Sequence, residues 1–204
     1  MSRPERWSRR PYRLRARAEG QARTRRRIAE AAVELHATVG PARTTIRAIA
    51  ERAGVERLTV YRHFPDERAL FAACSSRFLE DHPPPDLSGP MAIRDAAHRV
   101  EAVLLALYRF YRETEPMSTA LLRDAPSVPL VGEYLDPYLA MLQQVGDALT
   151  AGWPARGTHR LLRATIGHAL AFATWRSLAL DQGLTDAEAA TLMTALVRST
   201  DALA

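Results

Sequence analysis

The chain has 204 residues, enough for one or two domains, and its 47% hydrophobic and 25% charged residues are typical of a soluble globular protein. All 28 of its lysine-plus-arginine positions are arginine, which excludes chemistry that needs a lysine, such as a P-loop or a Schiff base. The single cysteine, Cys74, excludes an intramolecular disulfide.

The charge is distributed unevenly along the chain. Residues 1–80 hold 18 arginines and 9 acidic residues, whereas residues 81–204 hold 10 arginines and 14 acidic residues. A basic first part followed by an acidic second part is the distribution expected when one domain binds a polyanion and the other does not. From composition alone, the alternative is an exposed basic face without a partner.

The sequence predicts neither a membrane segment nor an enzyme. The most apolar stretches, residues 103–108 and 166–175, are far shorter than the roughly 20 apolar residues of a membrane span. Residues 8–14 resemble a twin-arginine export signal, but more charged residues follow them instead of an apolar segment, so we expect a cytoplasmic protein. Hydrolase, metalloprotease and nucleotide-loop motifs are missing, and the histidines lack metal-ligand spacing. We therefore expect no cofactor and no metal.

The first half of the chain is predicted to be helical after a flexible basic arm, residues 1–22. A first amphipathic helix begins at Thr24 and ends at the Gly40–Pro41 pair, because proline cannot continue a helix. A second helix covers about residues 45–53, and Gly54 ends it. A third covers about residues 56–64, and a fourth begins after Pro65.

The second half is predicted to be helical throughout, after a proline-rich linker at residues 82–90. The predicted helices cover about residues 93–114, 117–123, 131–151 with Pro137 bending or dividing the helix, and 158–181 as one long helix. The last helix begins at Thr185, which forms a capping box with Glu188. No segment has the alternation of a strand, so the fold class is all-α.

The second and third predicted helices, joined by a short turn at Gly54, have the spacing of a helix-turn-helix. The polar side chains of the third helix include donors for phosphates and base edges, and Leu58 or the methyl group of Thr59 is suited to a thymine methyl group. In such motifs the second of the two helices enters the major groove of DNA.

Residues 24–80 resemble the DNA-binding domain of the TetR family of transcriptional regulators. Gly40 and three motifs carry the resemblance: Arg27-Ile28-x-x-Ala31-Ala32, Thr45-Ile46-Arg47-x-Ile49-Ala50-x-x-Ala53-Gly54-Val55 and Thr59-Val60-Tyr61-x-His63-Phe64-Pro65-Asp66. The resemblance implies an N-terminal three-helix DNA-binding domain at residues 23–81, with its helix-turn-helix at about 45–64. It also implies a helical effector-binding and dimerisation domain at residues 91–204.

The resemblance also implies roles for individual residues. Thr45 is expected to contact a phosphate, and Arg47 lies where some members read a guanine. On the third helix, Arg57 and Thr59 lie at base-facing positions, and Tyr61 and His63 are expected to contact phosphates. Where many members carry a lysine that contacts phosphate, this chain has Glu67. The neighbouring Arg68 is therefore expected to make the phosphate contact. The candidate DNA-contacting residues are Thr45, Arg47, Arg57, Leu58, Thr59, Tyr61, Arg62, His63 and Arg68.

The large side chains of the second half and the arginine-rich arm can each be interpreted in more than one way. Large side chains of the second half are candidates for an effector pocket, although core packing explains them equally well: Tyr108, Tyr111, Tyr138, His168, Phe172 and Trp175. The arginine-rich arm could enter a minor groove, attract phosphates without specificity, or be an exposed tail without a role.

The last two predicted helices are expected to form a homodimer interface. They supply leucines and other apolar residues that suit half of a four-helix bundle, although the core of a monomer would use the same residues: Leu161, Leu162, Ile166, Leu170, Leu178, Leu192, Leu196 and Val197. The sequence thus predicts a homodimeric, ligand-responsive repressor that binds a pseudo-palindromic double-stranded DNA operator and is released by a small apolar effector. The alternative is a basic protein that coats DNA without sequence preference.

Overall fold

The computed structural model describes the backbone of residues 9–153 and 159–202, and the side chains of residues 15–153 and 160–200. Within these ranges the fold is all-α and contains no strand, which confirms the predicted fold class. The helices are α1 Arg9–Thr38, α2 Ile46–Ala53, α3 Arg57–His63, α4 Glu67–Asp81, α5 Ser88–Met91, α6 Ala96–Asp124, α7 Pro129–Ala151, α8 His159–Leu170, α9 Phe172–Arg176 and α10 Asp186–Ala202. The chain divides between Asp81 and His82 into two compact units.

The first unit is a small helical domain built on α1, which packs against both α2 and α4. Apolar side chains at helical spacing form its core. They are Ile28, Ala32, Ile49, Ala50, Val60, Phe64, Leu70 and Phe71. The core thus fixes α2 and α3 to α1, the longest helix of the unit.

The expectation of a flexible arm through residue 22 is wrong for its described part, because α1 begins at Arg9. Residues 1–8 of the predicted arm lie outside the described residues. Arginine and alanine are strong helix formers, and extending an existing helix costs far less than starting one. An ion pair between Arg15 and Glu19, one turn apart at 3.5 Å, adds to the helix.

In the second unit, α6 packs against α10, and α8 packs against both α7 and α10. The core contains apolar residues from every one of these helices. Its largest fully buried side chains are Trp175, Tyr108, Tyr111, Leu104, Leu107, Leu149 and Ile166. None of the helices in the described part of the chain combines the length and the apolar character that a membrane span requires.

Prolines do not divide the helices of this unit. The two helices predicted at residues 93–114 and 117–123 are one helix, α6, with Pro116 inside it, and α7 likewise continues through Pro137. Thr114 and Met117 are buried on either side of Pro116. Burial of the following turns in the core therefore outweighs the cost of about 3 kcal/mol that an internal proline carries.

The long helix predicted at residues 158–181 is interrupted. It is α-helical to Leu170, extended at Ala171 (ψ 135°), helical again in α9, and π-helical at Ser177–Asp181. The predicted capping box is present, because the Thr185 N–H and hydroxyl both donate to Glu188 Oε2, at 2.8 and 2.7 Å. In the expected linker, the short helix α5 begins at Ser88.

Candidate nucleic-acid interface and effector-binding core

The turn between α2 and α3 determines the direction of the third helix. Thr45 caps α2, since its Oγ1 accepts a hydrogen bond of 3.1 Å from the N–H of Ala48. At the other end Gly54 adopts the left-handed conformation (φ 62°), which disfavours residues with a side chain. The N–H of Val55 then bonds to the carbonyl of Ala50 at 3.0 Å, which closes the helix end.

The third helix turns one side to the core and another to solvent. Val60 and Phe64, one turn apart, are 0% and 2% exposed. On the other side, Leu58 is 56% exposed, Tyr61 is 47% exposed, and Arg62 is also exposed. These exposed side chains are therefore available for contact with a partner.

The structure brings the nine predicted DNA-contacting residues together in the first unit. The exposed ones are Thr45, Arg47, Arg57, Leu58, Tyr61, Arg62 and Arg68, and the half-buried ones are Thr59 and His63. They come from the start of α2, the length of α3 and the first turn of α4. Their roles in binding DNA stay predictions.

Arg47 is paired within its own helix. Its Nε donates to Glu51 Oε1 at 2.8 Å, and this hydrogen bond raises the pKa of the Arg47 guanidinium. Exposed pairs of this kind contribute little to stability, so a base edge or phosphate competes easily with the carboxylate. The predicted guanine contact therefore requires only that Arg47 leave Glu51.

Arg25 is the residue that the sequence analysis missed. Its Nη1 donates to the carbonyl of His63 at 2.5 Å, and its guanidinium carbon lies 4.1 Å from the centroid of the Phe64 ring. A cation at the last carbonyls of a helix is favourable, because that end of the helix dipole is negative. Arg25 thus joins α1 to the end of α3, and the 38-residue separation gave no sequence signal for this contact.

Cys74 is a buried core residue. Its Sγ lies 3.6 Å from Nδ1 of His36, which is also buried, and burial raises the pKa of the Cys74 thiol to about 12. Throughout residues 9–153 and 159–202, no group of three or more histidine, cysteine, aspartate and glutamate side chains could hold a metal ion.

Side-chain hydroxyls satisfy the carbonyls that the helix interruption at Ala171 leaves open. Tyr108 donates to the carbonyl of Ala169 at 2.8 Å, Tyr111 donates to that of Leu170 at 2.7 Å, and Thr174 donates to that of residue 168 at 2.6 Å. Burial raises the pKa of both tyrosines, so both hydroxyls stay protonated and can donate. The carbonyls of residues 168, 169 and 170 therefore all have hydroxyl partners at the interruption.

Five of the six predicted ligand-binding residues lie in one aromatic cluster. Tyr111 lies 5.4 Å from Phe172 and 5.9 Å from Trp175 between ring centroids. Tyr108 lies 6.3 Å from Tyr111, and the half-buried Tyr138 donates from its hydroxyl to that of Tyr111 at 3.3 Å. We call this set the aromatic cluster.

His168 is not part of the aromatic cluster. An unbroken helix would place it on the same face as Phe172 and Trp175, but the interruption at Ala171 turns the chain, and His168 is exposed. Its ring lies near the Thr174 hydroxyl, with Nδ1 at 3.3 Å.

An ion pair fixes the start of α10 beside the aromatic cluster. Both oxygens of Asp186 accept from Arg112, at 2.7 and 2.9 Å, and Oδ1 also accepts from Nε1 of Trp175 at 2.9 Å. Partial burial favours the neutral acid, but these hydrogen bonds outweigh it, and the pKa of Asp186 is lowered.

A separate open cavity of about 740 Å³ lies between α7 and α8. Its lining consists of Asp147, Thr150, Ala151, Arg160, Arg163 and Ala164, none of which belongs to the aromatic cluster. Arg163 spans the cavity to pair with Asp147 at 2.8 Å. The groove is open to solvent, whereas a ligand site usually encloses most of its ligand, so the aromatic cluster stays the predicted effector site.

The eight apolar residues predicted for the dimer interface differ in exposure, and one of them, Leu178, is half-buried against the core. Leu162, Ile166, Leu170 and Val197 are buried inside the unit. Leu161 on α8, and Leu192 and Leu196 on α10, are between 43% and 52% exposed. α8 and α10 pack side by side, and these three are the residues of the predicted set that are exposed for contact with a second chain.

Residues 28–74 match the family model of bacterial regulatory proteins, tetR family. The fold is similar to that of a TetR-like transcriptional regulator from Rhodococcus sp. RHA1, with a TM-score of 0.63, 19% identity, and coverage of 85% of this chain and 93% of that one.

A tetR-family transcriptional regulator from Streptomyces coelicolor is also similar, with a TM-score of 0.60, 21% identity, and coverage of 89% of this chain and 82% of that one. The multidrug binding protein EbrR, solved with imidazole, has a TM-score of 0.50 and 20% identity, and the match covers 84% of this chain and 88% of that one. No curated protein matches the chain significantly.

Proposed function

We propose that this chain, whose residues 28–74 match the tetR family of bacterial regulatory proteins, is a homodimeric repressor. A small, largely apolar effector releases it from DNA. The observation that carries the proposal is the exposed side of α3, where Leu58, Tyr61 and Arg62 project from a strongly basic unit. A helix with this mixture of side chains contacts both thymine methyl groups and phosphates.

The dimer is proposed on the exposed leucines of α8 and α10. Fully burying a leucine contributes about 1.5–3 kcal/mol, so Leu161, Leu192 and Leu196 on each of two chains supply a substantial apolar contact. Two copies of α3 then read two half-sites, about 34–36 Å or a multiple of that distance apart. The operator is expected to be pseudo-palindromic for that reason.

The effector is proposed to bind at the aromatic cluster. Tyr138 and Phe172 are the half-buried members of the cluster, so they mark the side from which a ligand enters. EbrR, one of the similar structures, is a multidrug binding protein, which supports a small-molecule site in this fold. An effector that prefers a conformation with another half-site spacing shifts the population away from DNA.

The DNA-binding part is tested by selecting duplexes from a randomised pool with the purified chain. We expect one pseudo-palindromic sequence to be enriched, and Arg62→Ala to lower the affinity for it by at least about fivefold. The matched control is Arg109→Ala, which removes an exposed arginine from α6 and leaves affinity unchanged. If no sequence is enriched, the chain coats DNA without preference, which is the alternative that its basic α1 favours.

The effector-binding part is tested with a panel of small apolar compounds and the enriched duplex. We expect at least one compound to raise the thermal stability of the chain and to release the duplex. Phe172→Ala is expected to abolish both effects, whereas Leu139→Ala, at an exposed residue of α7, retains them. Release that persists in Phe172→Ala would place the effector elsewhere.

A further inference from the structure

The N-terminal part of α1 is a basic helix that precedes the core of its unit. Residues 9–27 contain nine arginines and one glutamate. The first buried residue among those whose side chains are described is Ile28, and residues 15–19, 21–23 and 25–27 are exposed. Residues 9–27 therefore carry a net charge of +8, and none of residues 15–27, whose side chains are described, is buried.

The arginines of this segment are only partly neutralised by other residues. Arg15 pairs with Glu19 at 3.5 Å, and Arg26 pairs with Glu30 at 2.9 Å. Arg17 and Arg23 make no ion pair among the residues that the structure describes. A run of like charges held on a helix is unfavourable by itself, so it indicates a polyanionic partner.

The basic segment is continuous with the surface proposed to read DNA. Arg25 bonds to the carbonyl of His63, a residue predicted to contact phosphate, and thus fixes the segment beside the end of α3. From Arg23 back to Arg9 the helix extends about 21 Å, at 1.5 Å per residue. That length corresponds to about six base pairs of DNA, at 3.4 Å for each.

The helical form decides how the segment meets DNA. An α-helix with its side chains is about 10–12 Å wide, whereas the minor groove of B-DNA is about 6 Å wide. The segment therefore does not fit the minor groove in its observed conformation, and an extended arm would first have to unfold it. Phosphates on the outside of the duplex are accessible to a helix without unfolding.

We propose that residues 9–27 are a second DNA contact, which binds as a helix along the phosphate backbone beside the site that α3 reads. The proposal rests on the function proposed above, since it needs the chain on DNA. The segment adds affinity that depends on salt and not on sequence, because phosphates carry no sequence information.

The test compares the salt dependence of binding to the enriched duplex between 50 and 200 mM salt. The variant Arg17→Gln/Arg23→Gln is matched by Arg94→Gln/Arg109→Gln, which removes the same charge from exposed residues of the second unit. Each lost phosphate contact lowers the slope of log affinity against log salt by about 0.9. The proposed dimer carries both substitutions in each of its two chains, so four contacts are lost. We expect the slope to become less steep by about 3.6 in the first variant and to stay unchanged in the second.

Two further variants test the helical form while retaining every arginine. Ala18→Pro interrupts the helix, and Gly20→Ala strengthens it without a clash, because an added Cβ meets only the Arg23 side chain, at 3.9 Å. We expect Ala18→Pro to lose affinity and Gly20→Ala to retain or gain it. Netropsin, which occupies the minor groove of DNA, should not lower the contribution of residues 9–27 to the affinity for the duplex.

Several results would overturn the proposal. An unchanged slope in Arg17→Gln/Arg23→Gln, or an equal fall in the control, would mean that the segment does not contact DNA. Full affinity in Ala18→Pro together with competition by netropsin would mean an extended arm in the minor groove. In both cases the wild-type chain still selects its sequence, whereas a chain that selects none refutes the proposed function itself.

Discussion

Removing single hydroxyls from the aromatic cluster tests whether the helix interruption depends on them. In Tyr108→Phe the carbonyl of Ala169, a fully buried residue, loses its hydroxyl partner. Leaving a buried polar group unpaired costs about 1–3 kcal/mol. In Tyr111→Phe the carbonyl of Leu170 loses its hydroxyl donor, and the Tyr138 hydroxyl loses its acceptor. We therefore expect Tyr111→Phe to cost at least as much as Tyr108→Phe.

The matched control is Tyr138→Phe, which removes the same atom from a half-buried ring. In that variant the Tyr111 hydroxyl keeps its carbonyl partner, so we expect a cost below about 1 kcal/mol. Urea unfolding followed by tryptophan fluorescence measures the difference, because Trp153 and Trp175 both lie in the second unit. With an m-value of about 2 kcal/mol/M, the midpoint shifts by roughly 0.5–1.5 M in Tyr108→Phe and Tyr111→Phe. Equal midpoints in all three variants would refute the reasoning.

Three other predictions concern burial and charge. The pKa of Cys74 is raised to about 12, so little reactive thiolate forms at pH 8. A thiol reagent at that pH should react roughly a thousandfold more slowly with the folded chain than with the chain unfolded in guanidinium. Equal rates would contradict this prediction. The lowered pKa of Asp186 contributes stability that is complete above the ordinary pKa of a carboxyl, about 4, and is lost as the pH falls through the lower pKa of the folded chain. The unfolding midpoints of wild type and Asp186→Asn should therefore converge as the pH falls through that range. Leu192→Glu should weaken self-association in sedimentation and leave the second unit folded, whereas Leu162→Glu should unfold that unit. Equal effects of the two leucine variants would count against the proposed interface.

The helix-turn-helix could be predicted closely because its signals are local. Capping by Thr45, the left-handed Gly54 and the four-residue spacing of Val60 and Phe64 all act within a few residues. The predicted start of the second helix and its end at residue 53 agree with α2 for that reason. The residues of the candidate DNA surface follow from these elements, since the sides of α3 are fixed once its core side is known.

Features that depend on distant contacts could not be predicted. The interruption at Ala171 contains no glycine or proline, and the hydroxyls that bond to its carbonyls come from Tyr108 and Tyr111, about 60 residues earlier in the chain. At Pro116 the sequence predicts a helix end that the structure does not have, because burial of the turns on either side keeps α6 continuous. The start of α1 was misjudged because an arginine-rich segment without apolar periodicity gives the same composition as a flexible arm.

The hydrogen bonds at the Ala171 interruption also limit which effectors could bind at the proposed site in the aromatic cluster. The hydroxyls of Tyr108 and Tyr111 already donate to carbonyls of α8, so they have no proton left for a ligand. Among the cluster, only the half-buried Tyr138 hydroxyl, in a contact of 3.3 Å, can exchange its partner without leaving a buried carbonyl unpaired. A sugar or a nucleotide would bring several polar groups into the cluster, and each group without a partner would cost about 1–3 kcal/mol. An apolar molecule with one acceptor, placed to take the Tyr138 proton, avoids that cost and stacks against Phe172.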